Sequence, residues 1–189
     1  MKIGVNAVRC GVLGLAMTVV TTVASAQVFM GTTVGGPTFN RPTGGSPPTT
    51  LSGVGTAVRY STQAFFTGTS GSYVFQSVAT APANWDNFTL LYRNVFNPAS
   101  PLLNALVAND DNPTIGLSGF TFNLVAGTQY IFVTTGFGNT DFGAFTNTIT
   151  GPANVTFGTV GVIPEPSTYA LMATGLVGLV GVARRRRSV

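Results

Sequence analysis

Asp86, Asp110, Asp111 and Asp141 are the only carboxylates between residues 27 and 163, so any cation binding or proton transfer by carboxylates there falls to them. Two of them sit in Asn109-Asp110-Asp111-Asn112, which packs four oxygen-bearing side chains into one loop. Calcium takes about six to eight oxygen ligands, and such a loop supplies several without histidine or cysteine. A calcium site at Asp86, Asp110, Asp111 and Asp141 is therefore one expectation. Asp and Asn are also the preferred formers of Asx-turns, and a strand connection is the simpler reading of the loop. Pairs among the four aspartates could act as a glycosidase acid and base. A small domain without insertions leaves little room for a deep cleft, so no enzymatic activity is expected.

Trp85, Phe88, Tyr92, Phe137 and Phe142 offer a second chemistry, stacking on sugar rings, if several reach one surface. Core packing is the competing use of the same rings. Asn87-Phe88-Thr89 and Asn154-Val155-Thr156 match the glycosylation sequon, which is read here as coincidence. The body is also read as lacking a regular Thr-x-Thr ladder, so a flat ice-matching face is not expected.

Residue types that are missing narrow the field further. The chain has no histidine, which excludes Ser-His-Asp triads, Cys-His dyads and histidine zinc sites. Its one cysteine, Cys10, lies near the N-terminus, so the remainder forms no disulfide. The formal charge of +4 misleads, because Lys2, Arg9 and Arg184 to Arg187 supply six of the nine positive charges. Between them stand Arg41, Arg59 and Arg93 against four aspartates, which leaves about one net negative charge. Binding nucleic acid needs clustered cations, so nucleic acid is not an expected partner.

The two ends carry targeting signals. Lys2 and Arg9 precede an apolar stretch from Val12 to Val23 and the small residues Ala24-Ser25-Ala26, the pattern of a secretory signal peptide cut before Gln27. At the other end, Pro164-Glu165-Pro166 is followed by an apolar run from Tyr169 to Ala183 and by Arg184, Arg185, Arg186 and Arg187. Fifteen residues of helix cover about 22 Å of a hydrocarbon core about 30 Å thick, a short anchor. The arginines should remain cytoplasmic as a stop, with everything before Pro164 outside.

That order of motif, apolar helix and basic cluster resembles the PEP-CTERM sorting signal of Gram-negative bacteria. The resemblance implies that Pro164, Glu165 and Pro166 are substrate for an exosortase, an integral-membrane protease or transpeptidase. It also implies passage through the secretion machinery and transient residence in the inner membrane. An anchor that is never cut is the alternative.

The body reads as all-β. Segments of about five to nine residues rich in Phe, Tyr, Val, Ile and Thr alternate with Gly, Asn, Asp and Pro, and no apolar stripe of helical period appears. Strands are expected at Val58 to Thr67, Ser72 to Ala79, Asn87 to Arg93, Leu102 to Ala108, Gly119 to Leu124, Thr128 to Thr135, Gly143 to Thr150 and Asn154 to Val160. Phe120, Phe122 and Leu124 should share a buried face, and Thr128 to Val133 should form a central strand covered on both sides. Residues 31–55, dense in Gly, Pro, Thr and Ser, read as loop, with a short edge strand embedded in Pro37 to Pro42. Short connections favour antiparallel pairing. The expected architecture is a single jelly-roll-like antiparallel β-sandwich, divided as signal peptide 1–26, lead-in 27–57, sandwich 58–163 and sorting signal 164–189.

From Ser72 to Pro152 the body is similar to the bacterial pre-peptidase C-terminal type of β-sandwich. The residues carrying that likeness are Gly71-Ser72-Tyr73-Val74-Phe75, Asp86 before Leu90-Leu91-Tyr92, Asn109-Asp110-Asp111, Ala126 to Tyr130, and Asp141-Phe142-Gly143. Such modules are non-catalytic, which implies a structural or adhesive cell-surface or matrix protein. The alternative is a calcium-assisted module that binds exopolysaccharide.

Overall fold

The computed structural model describes residues 24–158. Most of the expected signal peptide, up to residue 23, and everything from residue 159 onward, including the expected sorting helix and Arg184 to Arg187, lie outside the described residues. Among the described residues no helix is long and apolar enough to cross a membrane.

Ten strands build the body: β1 (Ser25–Thr32), β2 (Thr38–Phe39), β3 (Val58–Thr67), β4 (Gly71–Ala81), β5 (Asn87–Arg93), β6 (Ala105–Asn109), β7 (Leu117–Leu124), β8 (Gln129–Gly136), β9 (Ala144–Gly151) and β10 (Val155–Gly158). One sheet runs β1-β9-β4-β7 and the other β10-β3-β8-β5-β6, with β2 also on β3. Every pairing is antiparallel. From β3 to β9 the chain crosses between the sheets at every step except β5 to β6, which stay paired in the second sheet, an order like that of a jelly roll.

Alternating side chains fill the space between the sheets. Phe65, Tyr73, Phe75, Leu91, Val107, Phe120, Leu124, Tyr130, Phe132, Ile149 and Val155 form one buried cluster. Phe75 sits at its centre, 4.9 Å from the Phe120 ring and 5.3 Å from the Phe132 ring. The expected face of Phe120, Phe122 and Leu124 points inward, with Thr121 and Asn123 exposed. β8 is the central strand, buried along nearly all its length between β3 and β5. A polar patch interrupts this core. Asn87 donates to Ser77 Oγ, Asn147 donates to Thr134 Oγ1, and the Thr89 and Ser118 hydroxyls lie 2.7 Å apart.

The segment expected as a lead-in is part of the fold. β1 adds eight residues to the edge of the first sheet, pairing with all of β9 from Ser25↔Gly151 to Thr32↔Ala144. Apolar alternation in Gln27-Val28-Phe29-Met30 drives this, with Phe29 packed on the core and Val28 and Met30 outward. The run continues the signal's apolar character, which masked the strand. The Gly/Pro-rich stretch that follows covers the outer face of the second sheet. It places Phe39 in a second apolar cluster with Val58, Ala64, Phe88, Leu90, Tyr92, Ile131 and Val133. Its backbone is tied down by Gly45 N to Ala108 O at 2.9 Å, Ala108 N to Gly45 O at 2.8 Å and Arg41 N to Gly55 O at 3.0 Å. The expected short strand is β2, on β3. Most other boundaries shift by one or two residues; β6 starts three residues late because Ser100 to Asn104 closes turns, with Leu103 N bonded to Ser100 O.

Among the described residues the outer face of the first sheet is largely uncovered, except where Asn112 O of the loop after β6 accepts from Gln76. Thr146, Thr148 and Thr150 form one outward column on β9, alternating with buried Phe145, Asn147 and Ile149. A Thr-x-Thr-x-Thr run is thus present after all. It is one strand wide, flanked by Val28 and Met30 on one side and Val74 and Val78 on the other.

Candidate functional site

Asp86 stands just before β5, and Asp110 and Asp111 stand just after β6, so the pairing of these neighbouring strands brings the three together. One carboxylate oxygen from each lies within 4.8 Å of the other two. Asp86 and Asp110 are half-buried and Asp111 is exposed. Asp86 Oδ1 and Asp110 Oδ1 are shielded from solvent and have no hydrogen-bond partner among the described residues.

Asp141 lies outside this group. Its Oδ2 accepts from Gly138 N at 2.8 Å and its own N–H donates to Gly138 O at 3.1 Å, so it closes the turn after β8. Asn109 is also used locally: its Oδ1 accepts from Asp110 N at 2.8 Å and its Nδ2 donates to Gly119 O. Of the expected metal residues, then, the fold gathers three and leaves the fourth as a turn former.

Burial holds the Asp110 carboxyl up at a pKa of about 6, with repulsion from Asp86 and Asp111 adding to the rise. Asp86 moves the same way, first from burial and then from the charges of Asp141 and Asp111. Arg41 opposes both shifts. Arg41 is 3% exposed, its guanidinium set against the rings of Phe88 and Phe137, with Nε donating to Phe137 O and an Nη to Pro42 O. Burial lowers its pKa, and the charges of Asp110, Asp86 and Asp141 raise it. Arg41 is the residue that sequence reasoning missed as part of this site. A lone arginine near the one large apolar side chain, Phe39, of the Pro37 to Pro42 stretch was its only signal.

Three carboxylates held close, partly dehydrated and poorly hydrogen-bonded make a set of hard oxygen donors suited to a divalent cation. The aromatic residues do not form a platform beside them. Trp85, Phe88 and Tyr92 are buried, Trp85 donating to Ala144 O and Tyr92 to Pro101 O. Phe137 is occupied by Arg41, and Phe142 alone is exposed, with Arg59 over its ring at 5.1 Å. Asn87 of the first sequon is fully buried. Two surface depressions of about 430 and 400 Å³ are lined by Arg93, Asn94 and Gln129, and by Ser70, Ser72 and Thr150; neither has a carboxylate in its wall.

Comparison with known proteins places the chain's sorting class in its C-terminal part. Residues 162–187 match the PEP-CTERM protein-sorting motif, a span that contains Pro164-Glu165-Pro166 and Arg184 to Arg187. The chain carries this export signal, which exosortase recognises, and its body is an antiparallel β-sandwich. No curated protein matches the chain significantly. Among solved structures, the body is similar to a CBM35 from Cellvibrio japonicus Abf62, 13% identical over 71% of this chain and 100% of that one, with a TM-score of 0.37. It is also similar to the K1 cleaved adhesin domain of Lys-gingipain from Porphyromonas gingivalis, 18% identical over 70% of this chain and 99% of that one, again at 0.37. The mitogen of Yersinia pseudotuberculosis is 12% identical over 71% and 96%, at 0.33. Scores this low assign no function.

Proposed function

We propose that this chain is an exported, non-enzymatic protein of the cell surface or extracellular matrix. An N-terminal signal opens its route, and the PEP motif delivers it to exosortase for processing. The jelly roll itself serves a structural or adhesive role. The match of residues 162–187 to the sorting motif carries this reading. The absence of histidine, which removes Ser-His-Asp and Cys-His chemistry, supports a body without catalysis. The test is mass spectrometry of the protein recovered separately from the membrane and secreted fractions of its host. Secreted protein beginning at Gln27 and ending near Pro164 is the expected result. Secreted protein that retains Arg184 to Arg187 would overturn processing at the motif.

A second reading is favoured by the carboxylate group. Asp86, Asp110 and Asp111 bind calcium, which stiffens a domain that has no disulfide, and the calcium-loaded end helps hold exopolysaccharide. Two dehydrated, unbonded carboxylate oxygens support it. A melting temperature that is the same in excess EGTA and in excess calcium would sink it.

A further inference from the structure

We propose that the largely uncovered outer face of the β1-β9-β4-β7 sheet is the seat of a second copy of this chain. None of the four strands contains Asp, Glu, Lys or Arg. Arg41, Arg59, Arg93 and all four aspartates of the body belong to the second sheet or to loops. The outward side chains form rows across the sheet: Ala26, Thr150 and Val74; Val28, Thr148 and Gln76; Met30, Thr146 and Val78. Met30 is 80% exposed, Val28 52% and Val74 47%. The same fold covers the outer face of its other sheet with residues 33–57. Among the described residues only the loop after β6 touches the outer face of the first sheet, at Gln76.

The chemistry of the face selects its occupant. A membrane surface is held by clustered Lys and Arg, and this sheet has neither. A sugar ring is held by an exposed aromatic face, yet no outward residue of these rows is aromatic. An identical neutral face meets it with no charge to desolvate on either side, and methyl groups of Val, Thr and Met meet their like. Packed about a two-fold axis, the two sheets would stack about 10 Å apart, as in a sandwich. Four strands about 4.8 Å apart and eight residues long at about 3.4 Å each give roughly 500 Å² per copy. The pair buries about 1,000 Å², at the lower end of specific interfaces, so the dimer is reversible and concentration-dependent.

The experiment is sedimentation velocity on the protein purified from the host's secreted fraction, across a concentration series. Wild type should shift from monomer toward twice that mass as concentration rises. Val28→Lys and Thr148→Lys each put like charges on the shared face of both copies and should weaken the dimer about tenfold or more. Val74→Thr, which keeps the strand neutral, should weaken it less and guards against a lysine variant that fails to fold. Circular dichroism matching wild type certifies each variant. A monomer at every concentration, or a dimer that folded lysine variants leave unchanged, would overturn the proposal.

Discussion

The Arg41 guanidinium carbon lies 4.0 Å from the centre of the Phe88 ring, so a cation from the Gly/Pro-rich loop caps the outer face of the second sheet beside three carboxylates. Its hydrogen bond to Phe137 O fastens that loop to the turn after β8, while its bond to Pro42 O stays within the loop. Replacing it with methionine keeps the apolar stem and removes the fork. Arg41→Met should cost about 2–4 kcal/mol, from lost charged hydrogen bonds and a dehydrated cation–π contact. Arg41→Lys should not recover it, because one ammonium cannot reproduce the planar stack and both bonds. Denaturant unfolding of the two variants checks both statements.

The carboxylate group makes stability fall with rising pH in calcium-free solution. Asp110 holds its proton with a pKa of about 6 in the fold against an ordinary 3.8, so the folded state binds that proton more tightly than the unfolded one. The stabilising contribution is therefore complete below the ordinary value and is lost as pH rises through about 6. Asp86, raised as well, adds in the same sense. Melting temperature in EGTA should rise as pH is lowered from about 7 toward 4, and Asp110→Asn should flatten that slope.

Calcium should act in the opposite direction on the same residues. At neutral pH, excess calcium is expected to raise the melting temperature by replacing repulsion with coordination. The effect should fade below about pH 6 as protons compete for the ligands. Asp86→Asn or Asp110→Asn should abolish the calcium response, whereas Asp141→Asn, outside the group, should keep it. Differential scanning calorimetry separates these outcomes.

A methyl group at Gly151 has no space. An added Cβ would stand 2.1 Å from Cδ1 of Tyr73, whose ring is fully buried and whose hydroxyl is fixed by Thr67 Oγ1 and Thr69 O. Gly151→Ala should therefore destabilise by about 1–3 kcal/mol through overpacking. Urea unfolding that shows no loss would mean the ring moves freely.

Processing before Gln27 would cut into β1. Ser25 and Ala26 pair with Gly151 and Thr150, so the shortened chain keeps six of the eight pairs. The end of β9 should fray while its middle stays protected. Hydrogen exchange should be faster at Gly151 in protein beginning at Gln27 than in protein that retains Ser25, with Thr148 unchanged.

The strands from Val58 onward were legible because each is a short run rich in β-branched and aromatic residues between turn formers, alternating with polar residues or, as in β8, apolar on both faces, and such local patterns need no knowledge of partners. Asn87 to Arg93 and Val58 to Thr67 match their expected spans. β1 was hidden because its apolar residues run on from the signal's, and whether such a run packs on a core depends on what lies beside it. The loop over the second sheet was hidden for a related reason. Its glycines and prolines describe local flexibility, while Phe39 and Arg41 gain their meaning from Phe88 and Phe137, far away in the chain. The Asp loop showed donors without geometry. Local periodicity and terminal motifs thus set the all-β class and the export route from sequence, since both are properties of contiguous residues. Which aspartates converge, which aromatics are buried and which sheet face stays largely uncovered were decided by tertiary structure, because each depends on residues that only strand pairing and sheet packing bring together.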